Sequence, residues 1–150
     1  MKEAKVILGS DHAGFAMKEK LKSHFLRHDI PYHDLGPYKL NKNDDYPDYA
    51  FKVASSVAQK KGTKGILICG SGAGVVIAAN KVKGIRAVAV NNRYEAKMSR
   101  SHNDANVLGL SGRELSFPKL KDLVMVWLKT PFSNESRHKR RLTKIAAYES

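Results

Sequence analysis

Gly65-Ile66-Leu67-Ile68-Cys69 runs directly into Gly70-Ser71-Gly72-Ala73-Gly74, so that residues 65–74 read GILICGSGAG. A short, uninterrupted apolar run bounded by glycines predicts a strand covered on both faces, as in a parallel sheet. The glycines let the backbone turn tightly and let a ligand approach it closely. Val75 to Lys81 then has the character of a short helix. The start of a helix offers free N–H groups and partial positive charge, so this turn reads as an anion or oxyanion cradle. It also reads as a plain tight βα turn. It matches neither the dinucleotide fingerprint, because residue 75 is Val, nor a P-loop, because no Gly-Lys-Ser/Thr follows.

The same alternation extends in both directions from this unit. Lys5–Gly9, Tyr32–Leu35, Ile85–Val90 and Val107–Leu110 read as further strands. Between them Phe15–Arg27 carries Met17, Leu21 and Phe25 at helical spacing, and Ala50, Val53, Ala54, Val57 and Ala58 form one buried helix face. Asp45-Tyr46-Pro47-Asp48 opens that second helix, with Pro47 where a missing N–H costs least. Tyr94–His102, a stripe of Leu120, Leu123, Val124, Trp127 and Leu128, and a basic segment from about Ser136 to the end complete the helices. The expectation is a Rossmann-like α/β three-layer sandwich: a five-stranded parallel sheet, helices on both faces and a C-terminal helix. Residues 1–150 read as one domain. Residues 37–46, the longest irregular stretch, are expected to form a mobile loop.

The chain has 27 Lys and Arg against 14 Asp and Glu, a net +13, which favours anionic partners. No apolar run approaches a membrane span, and the N-terminal MKEAKVILGSDHAG lacks the apolar length and cleavage pattern of a signal peptide. Cys69 is the sole cysteine, which excludes an intrachain disulfide and suits a cytoplasmic location.

In parallel sheets ligands bind beyond the carboxyl ends of the strands. Asp11-His12, Cys69–Gly74 and Asn91-Asn92 fall there. Cys69, beside a helix start, reads as a nucleophile or general base, or as an inert buried thiol. Ser71 reads as a ligand contact or a turn residue, and Asp11 as a sugar-hydroxyl contact or a helix cap. His102, in the polar stretch Ser101–Asn106, reads as a general acid or as part of an αβ turn; Arg113 follows the last strand. Arg137 and Arg141 share a helix face suited to a phosphate, or belong to a solvated basic helix. His24 and His28 are four apart, but nothing nearby completes a metal set, so they read as a surface pair.

Six stretches in order, GSDHAGF (9–15), DYPDYA (45–50), GILICGSGAG (65–74), IAANKVKGIRA (77–87), SRSHNDANVL (99–108) and RHKRRLTKI (137–145), resemble the family of ribose-5-phosphate isomerase B and the galactose-6-phosphate isomerase subunits. The resemblance implies a metal-free and cofactor-free aldose–ketose isomerase acting on ribose 5-phosphate and ribulose 5-phosphate through an enediolate. It implies a homodimer or homotetramer with the active site between subunits. By position, Cys69 would be the base, Ser71 would place the substrate or assist proton transfer, and the amides around Gly70, Gly72 and Gly74 would hold the enediolate oxygen. Asp11 would contact sugar oxygens and His102 would help open the furanose ring. His12, Arg137 and Arg141 would bind phosphate, with Asn103, Arg113 and His138 nearby. Some members use a glutamate at the position of Val75 instead of the cysteine; this chain resembles the cysteine branch. It departs from the family at Asn91-Asn92-Arg93 and at Glu135-Ser136, where glycines are common; both are placed to reshape the phosphate end. The rivals are the same chemistry on allose or galactose 6-phosphate, and a nucleic-acid-binding protein that has basic charge but no reader motif in its support.

Overall fold

Residues 66–69 achieve the double-sided burial their composition demands: in the computed structural model, Ile66, Leu67, Ile68 and Cys69 are all buried in the central strand of the sheet. The structure describes residues 5–149; residues 1–4, which open the segment read as carrying no leader, and Ser150, read as ending the last helix, lie outside the described residues. In chain order the elements are β1 (Val6–Ser10), α1 (Phe15–Arg27), β2 (Tyr32–Asp34), α2 (Tyr46–Gln59), β3 (Lys64–Cys69) and α3 (Ala73–Ala79). They continue as β4 (Ala87–Ala89), α4 (Arg93–Ser101), β5 (Val107–Ser111), α5 (Phe117–Lys129) and α6 (Ser136–Glu149).

The five strands are all parallel, in the order β2-β1-β3-β5-β4. Alternation along each strand divides the core in two. Val6, Leu8, Ile66, Ile68, Leu108 and Leu110 pack with Leu21 and Phe25 of α1, Ala96 of α4, and Leu120, Leu123, Val124 and Trp127 of α5. Ile7, Leu67, Cys69 and Val107 pack on the opposite side with Ala50, Val53, Ala54 and Val57 of α2 and with Val75 and Ala79 of α3. Both faces of the sheet are therefore covered, as expected from its apolar strands. Trp127 is the largest fully buried side chain, and truncating a residue of that size costs about 3–5 kcal/mol.

Two expectations change. β4 is shorter than the 85–90 run suggests, because Ile85 closes a turn onto the Val82 carbonyl. Asn80 then pairs with both backbone groups of Ala87, through Oδ1 at 2.8 Å and Nδ2 at 2.9 Å, and so blunts the sheet edge. His24 and His28 are not a surface pair: their rings lie 4.3 Å apart, but His24 is buried. Burial, followed by the charges of His28, Lys121 and Arg27, holds the His24 imidazole below its ordinary value.

The 37–46 stretch is anchored at both ends. The fully buried Lys18 ammonium donates to the Pro37 carbonyl at 3.0 Å and to Asp34 at 2.7 Å. At the far end Asp44 is held by His12.

The connection after β1 leads to α1 on one face of the sheet, whereas that after β3 leads to α3 on the other. The carboxyl ends of β1 and β3 therefore flank a topological switch point, where open α/β sheets form their ligand crevice. The chain closes tightly there: a Cβ at Gly14 would collide with the Ile68 carbonyl.

Candidate active site

Asp11, Tyr46, Cys69, Gly70, Ser71, Gly74, Arg113 and Glu114 line a cavity of about 360 Å³ at this switch point. Cys69 is only 4% exposed and packs on the α2/α3 side of the core, yet its sulfur lies at the cavity wall and not in a sealed interior. The last residue of β3 points to the same face as Leu67, and at that height the helix layer gives way to the glycine turn.

The Gly72 N–H donates to Cys69 Sγ at 3.1 Å, which orients the thiol. Gly72 holds φ at +82° with the Leu110 backbone 2.9 Å from where a Cβ would sit, so a side chain is excluded twice over. Ser71 Oγ accepts from the Ala73 N–H at 3.2 Å, and the Ser71 N–H has no partner among the described residues. The turn's carbonyls are occupied: Gly112 N–H donates to Cys69 O at 2.8 Å, and Ser111 Oγ donates to Gly70 O at 2.6 Å. The Arg113 guanidinium lies over Gly70, about 3.1 Å from a hypothetical Cβ, and the Tyr46 ring lies as closely over Gly74.

Asp11 lines the same cavity and also caps a turn, its Oδ1 accepting from the Gly14 N–H at 3.1 Å. Both sequence readings of Asp11 are satisfied by one carboxylate with two oxygens. Beside it, His12 gives its backbone N–H to Asp44 Oδ1 at 3.0 Å, and its ring Nδ1 lies 2.7 Å from the same oxygen. The Asp44 side chain is 4% exposed, and its Oδ2 has no partner among the described residues.

The remaining expected residues form a second group. His102 and His138 stack at 4.3 Å, and His138 Nδ1 lies 2.6 Å from Ser133 Oγ. His138 is 3% exposed; burial, then the charges of His102, Arg137 and Arg141, hold its imidazole below the ordinary value, with Glu135 a partial offset. Arg137 and Arg141 are exposed on α6, and Arg137 Nε donates to Glu135 at 2.8 Å. Glu135 thus competes for the arginine expected to bind phosphate. Asn103 is exposed, and its carbonyl accepts from Arg86.

This second group sits at the other end of the sheet. β5 pairs with β3 in the register Gly65↔Val107 and Cys69↔Ser111, so His102 precedes the end of β5 that is remote from Cys69. Five strand residues span about 13 Å. None of His102, Asn103, Arg137, His138 or Arg141 lines the Cys69 cavity of its own chain.

Asn91-Asn92-Arg93 does not line that cavity either. Asn92 caps α4 by accepting from the Glu95 N–H at 2.9 Å, Glu95 accepts from Asn91, and Arg93 pairs with Asp122 of α5. The segment follows an edge strand and holds α4 onto α5. Among the described residues no group of three or more His, Cys, Asp or Glu could hold a metal, and no helix is long and apolar enough to cross a membrane.

Tyr46, Glu114 and Asp44 are the residues that sequence reasoning passed over. Tyr46 lies within DYPDYA (45–50) and reads as part of a helix start. Asp44 belonged to a segment with no pattern, and only the fold brings it to His12 across 32 residues.

The ribose/galactose isomerase family profile matches residues 6–145. Ribose-5-phosphate isomerase B of Escherichia coli is 40% identical over 145 residues, covering 97% of this chain and 96% of that protein. The crystal structure of ribose-5-phosphate isomerase B from Mycoplasma genitalium with bound ribulose-5-phosphate superposes with a TM-score of 0.92 at 42% identity, covering 96% of this chain and 95% of that one. The type B ribose 5-phosphate isomerase of Trypanosoma brucei gives a TM-score of 0.90 at 44% identity, covering 98% and 99%.

Proposed function

Because the chain belongs to the ribose/galactose isomerase family, we propose that it interconverts ribose 5-phosphate and ribulose 5-phosphate with Cys69 as the base. The observation that carries this reading is the Cys69 sulfur at the wall of the switch-point cavity, beside Asp11, Ser71 and the glycine turn. With the open-chain aldose bound, the thiolate takes the proton from C2. The C2–H electron pair becomes the C1–C2 double bond, and negative charge builds on O1. The Ser71 N–H, which has no partner among the described residues, is the donor that meets that charge in this reading. The thiol then returns the proton to C1 while the O2 proton leaves and O1 is protonated, giving the ketose; Ser71 assists that oxygen-to-oxygen transfer. Asp11 holds sugar hydroxyls and His12 the phosphate.

The functional unit of this proposal is a homodimer. His102, Arg137 and Arg141 are required for ring opening and phosphate binding, yet they lie remote from their own chain's Cys69. A second copy supplies them. α6 supports this arrangement: of its fourteen residues only His138 is buried, and the half-buried Leu142 and the exposed Ile145 continue its stripe.

The test is an isomerase assay with chelator over ribose 5-phosphate, allose 6-phosphate and galactose 6-phosphate. Turnover of the five-carbon sugar is expected to dominate. An inert ribose 5-phosphate with a turned-over six-carbon ester would overturn the substrate assignment.

A further inference from the structure

At the amino end of the sheet lies a second cavity, of about 600 Å³ against about 360 Å³ for the one beside Cys69. The end of α2, the loop into β3, the approach to β4 and the turn between α4 and β5 enclose it. Its size suits a small molecule.

Its charge is one-sided: Lys61, Lys64, Arg86 and Arg100 face a single carboxylate, Asp104. That carboxylate is already engaged. Arg100 Nη1 donates to Asp104 Oδ1 at 2.8 Å, and Arg86 Nη2 lies 3.5 Å from Oδ2. Both guanidiniums also tie down backbone: Arg86 binds the Asn103 and Asp104 carbonyls, and Arg100 those of Ala105 and Thr130. These contacts explain the two arginines as structural, and they leave Arg86 Nη1 and Arg100 Nη2 without a partner among the described residues.

No such explanation covers the lysines. Lys64 opens β3, is half-buried, and its ammonium makes no hydrogen bond or ion pair among the described residues. Burial, then the charges of Arg100 and Lys5, push its ammonium below the ordinary value, with Asp104 a partial offset. A half-buried cation held among other cations is costly unless something anionic meets it. Lys61, exposed on the rim, adds a fourth positive charge with no packing role.

We propose that this cavity is a binding site for a small phosphorylated anion carrying two or more negative charges. Lys64 is its central contact, the free guanidinium nitrogens of Arg86 and Arg100 are its fork-like donors, and Lys61 guards its mouth. The site shares no residue with the isomerase reading. It adjoins the turn that follows His102, since Arg86 holds that turn by the Asn103 and Asp104 carbonyls.

The experiment is calorimetric titration of inorganic pyrophosphate into the full chain, into Arg137→Ala/Arg141→Ala, and into Lys64→Gln and Lys61→Gln. Saturable binding is expected to persist in the double arginine variant. It is expected to weaken about tenfold or more in Lys64→Gln and several-fold in Lys61→Gln, as charge-assisted contacts are lost. Ribose 5-phosphate turnover without pyrophosphate should be unchanged in both lysine variants. Lys61 is exposed, so its variant folds even if Lys64→Gln does not. Loss of pyrophosphate binding in the double arginine variant with no effect of either lysine change would place the anion on the sugar-phosphate anchor and overturn the proposal. So would the absence of saturable binding to the unaltered chain.

Discussion

Cys69 is read two ways from sequence, as an inert buried thiol or as a base, and its position satisfies parts of both. It is buried in the α2/α3 core and still borders the switch-point cavity. Cys69→Ala is expected to lower turnover by about 10²–10⁴-fold, the usual share of a general base, while the circular dichroism and thermal midpoint stay near those of the parent. A near-normal rate would remove the thiol from its role. Asp44 is the clearest residue the sequence hid. It is a positioning residue: Oδ1 takes both His12 donors, so the ring has one favoured orientation. Losing a hydrogen bond to a charged group costs about 1.5–3 kcal/mol, so Asp44→Ala should raise the Michaelis constant about tenfold or more. The rate constant should move little, and Asp44→Asn, which keeps the acceptor oxygen, should restore most of the affinity. Steady-state kinetics of the two variants separate positioning of His12 from simple loss of stability, which would lower both parameters' measured activity without that split.

Among the elements, the β3–turn–α3 unit was legible because its physics is local: apolar residues make a two-sided strand, and glycines make the turn. The path from α1 through β2 into the 37–46 loop depends instead on a tertiary ion cluster. Lys18, on the buried face of α1 beside Leu21 and Phe25, is fully buried, and with Lys22 it donates to Asp34 Oδ2, each at 2.7 Å. Burial alone would raise the Asp34 carboxyl, but the hydrogen bonds from Lys18, Lys22 and the Gly36 N–H outweigh it and hold the group below its ordinary value of 3.8. A carboxyl whose folded value is depressed adds stability that is fully present above its unfolded value. That stability is lost as pH falls from there through the folded value. The thermal midpoint should therefore fall on acidification below about pH 4, and Asp34→Asn should flatten that limb. At pH 7 the same change should cost about 3–5 kcal/mol, because it leaves the Lys18 ammonium buried without its charge partner. An unchanged acid limb in the variant would mean that other carboxylates control it.

For the whole molecule, the two groups of candidate residues make a test available that neither provides alone. In an isologous dimer each site would combine Cys69 of one copy with His102 of the other. Mixing Cys69→Ala with His102→Ala, after dissociation and reassociation, should regenerate activity from two inactive parents. Random pairing leaves about a quarter of sites intact. No regain, with mixed dimers demonstrated, would mean that each chain works with its own His102 or with none.

Local patterning by itself determined the α/β class, the strand count, the helix faces and the identity of Cys69, Asp11 and the glycine turn as neighbours of a strand end. These follow from periodicity and from residues adjacent in sequence. Tertiary structure alone decided the strand order, with β5 inserted between β3 and β4, and hence that β1 and β3 flank the crevice. It alone brought Asp44 to His12, closed a cationic cavity around Lys64, and set His102 and Arg137 at the opposite end of the sheet from Cys69. Such facts depend on contacts between residues tens of positions apart, whose free energy is settled by the packing of whole elements and leaves no period in the chain.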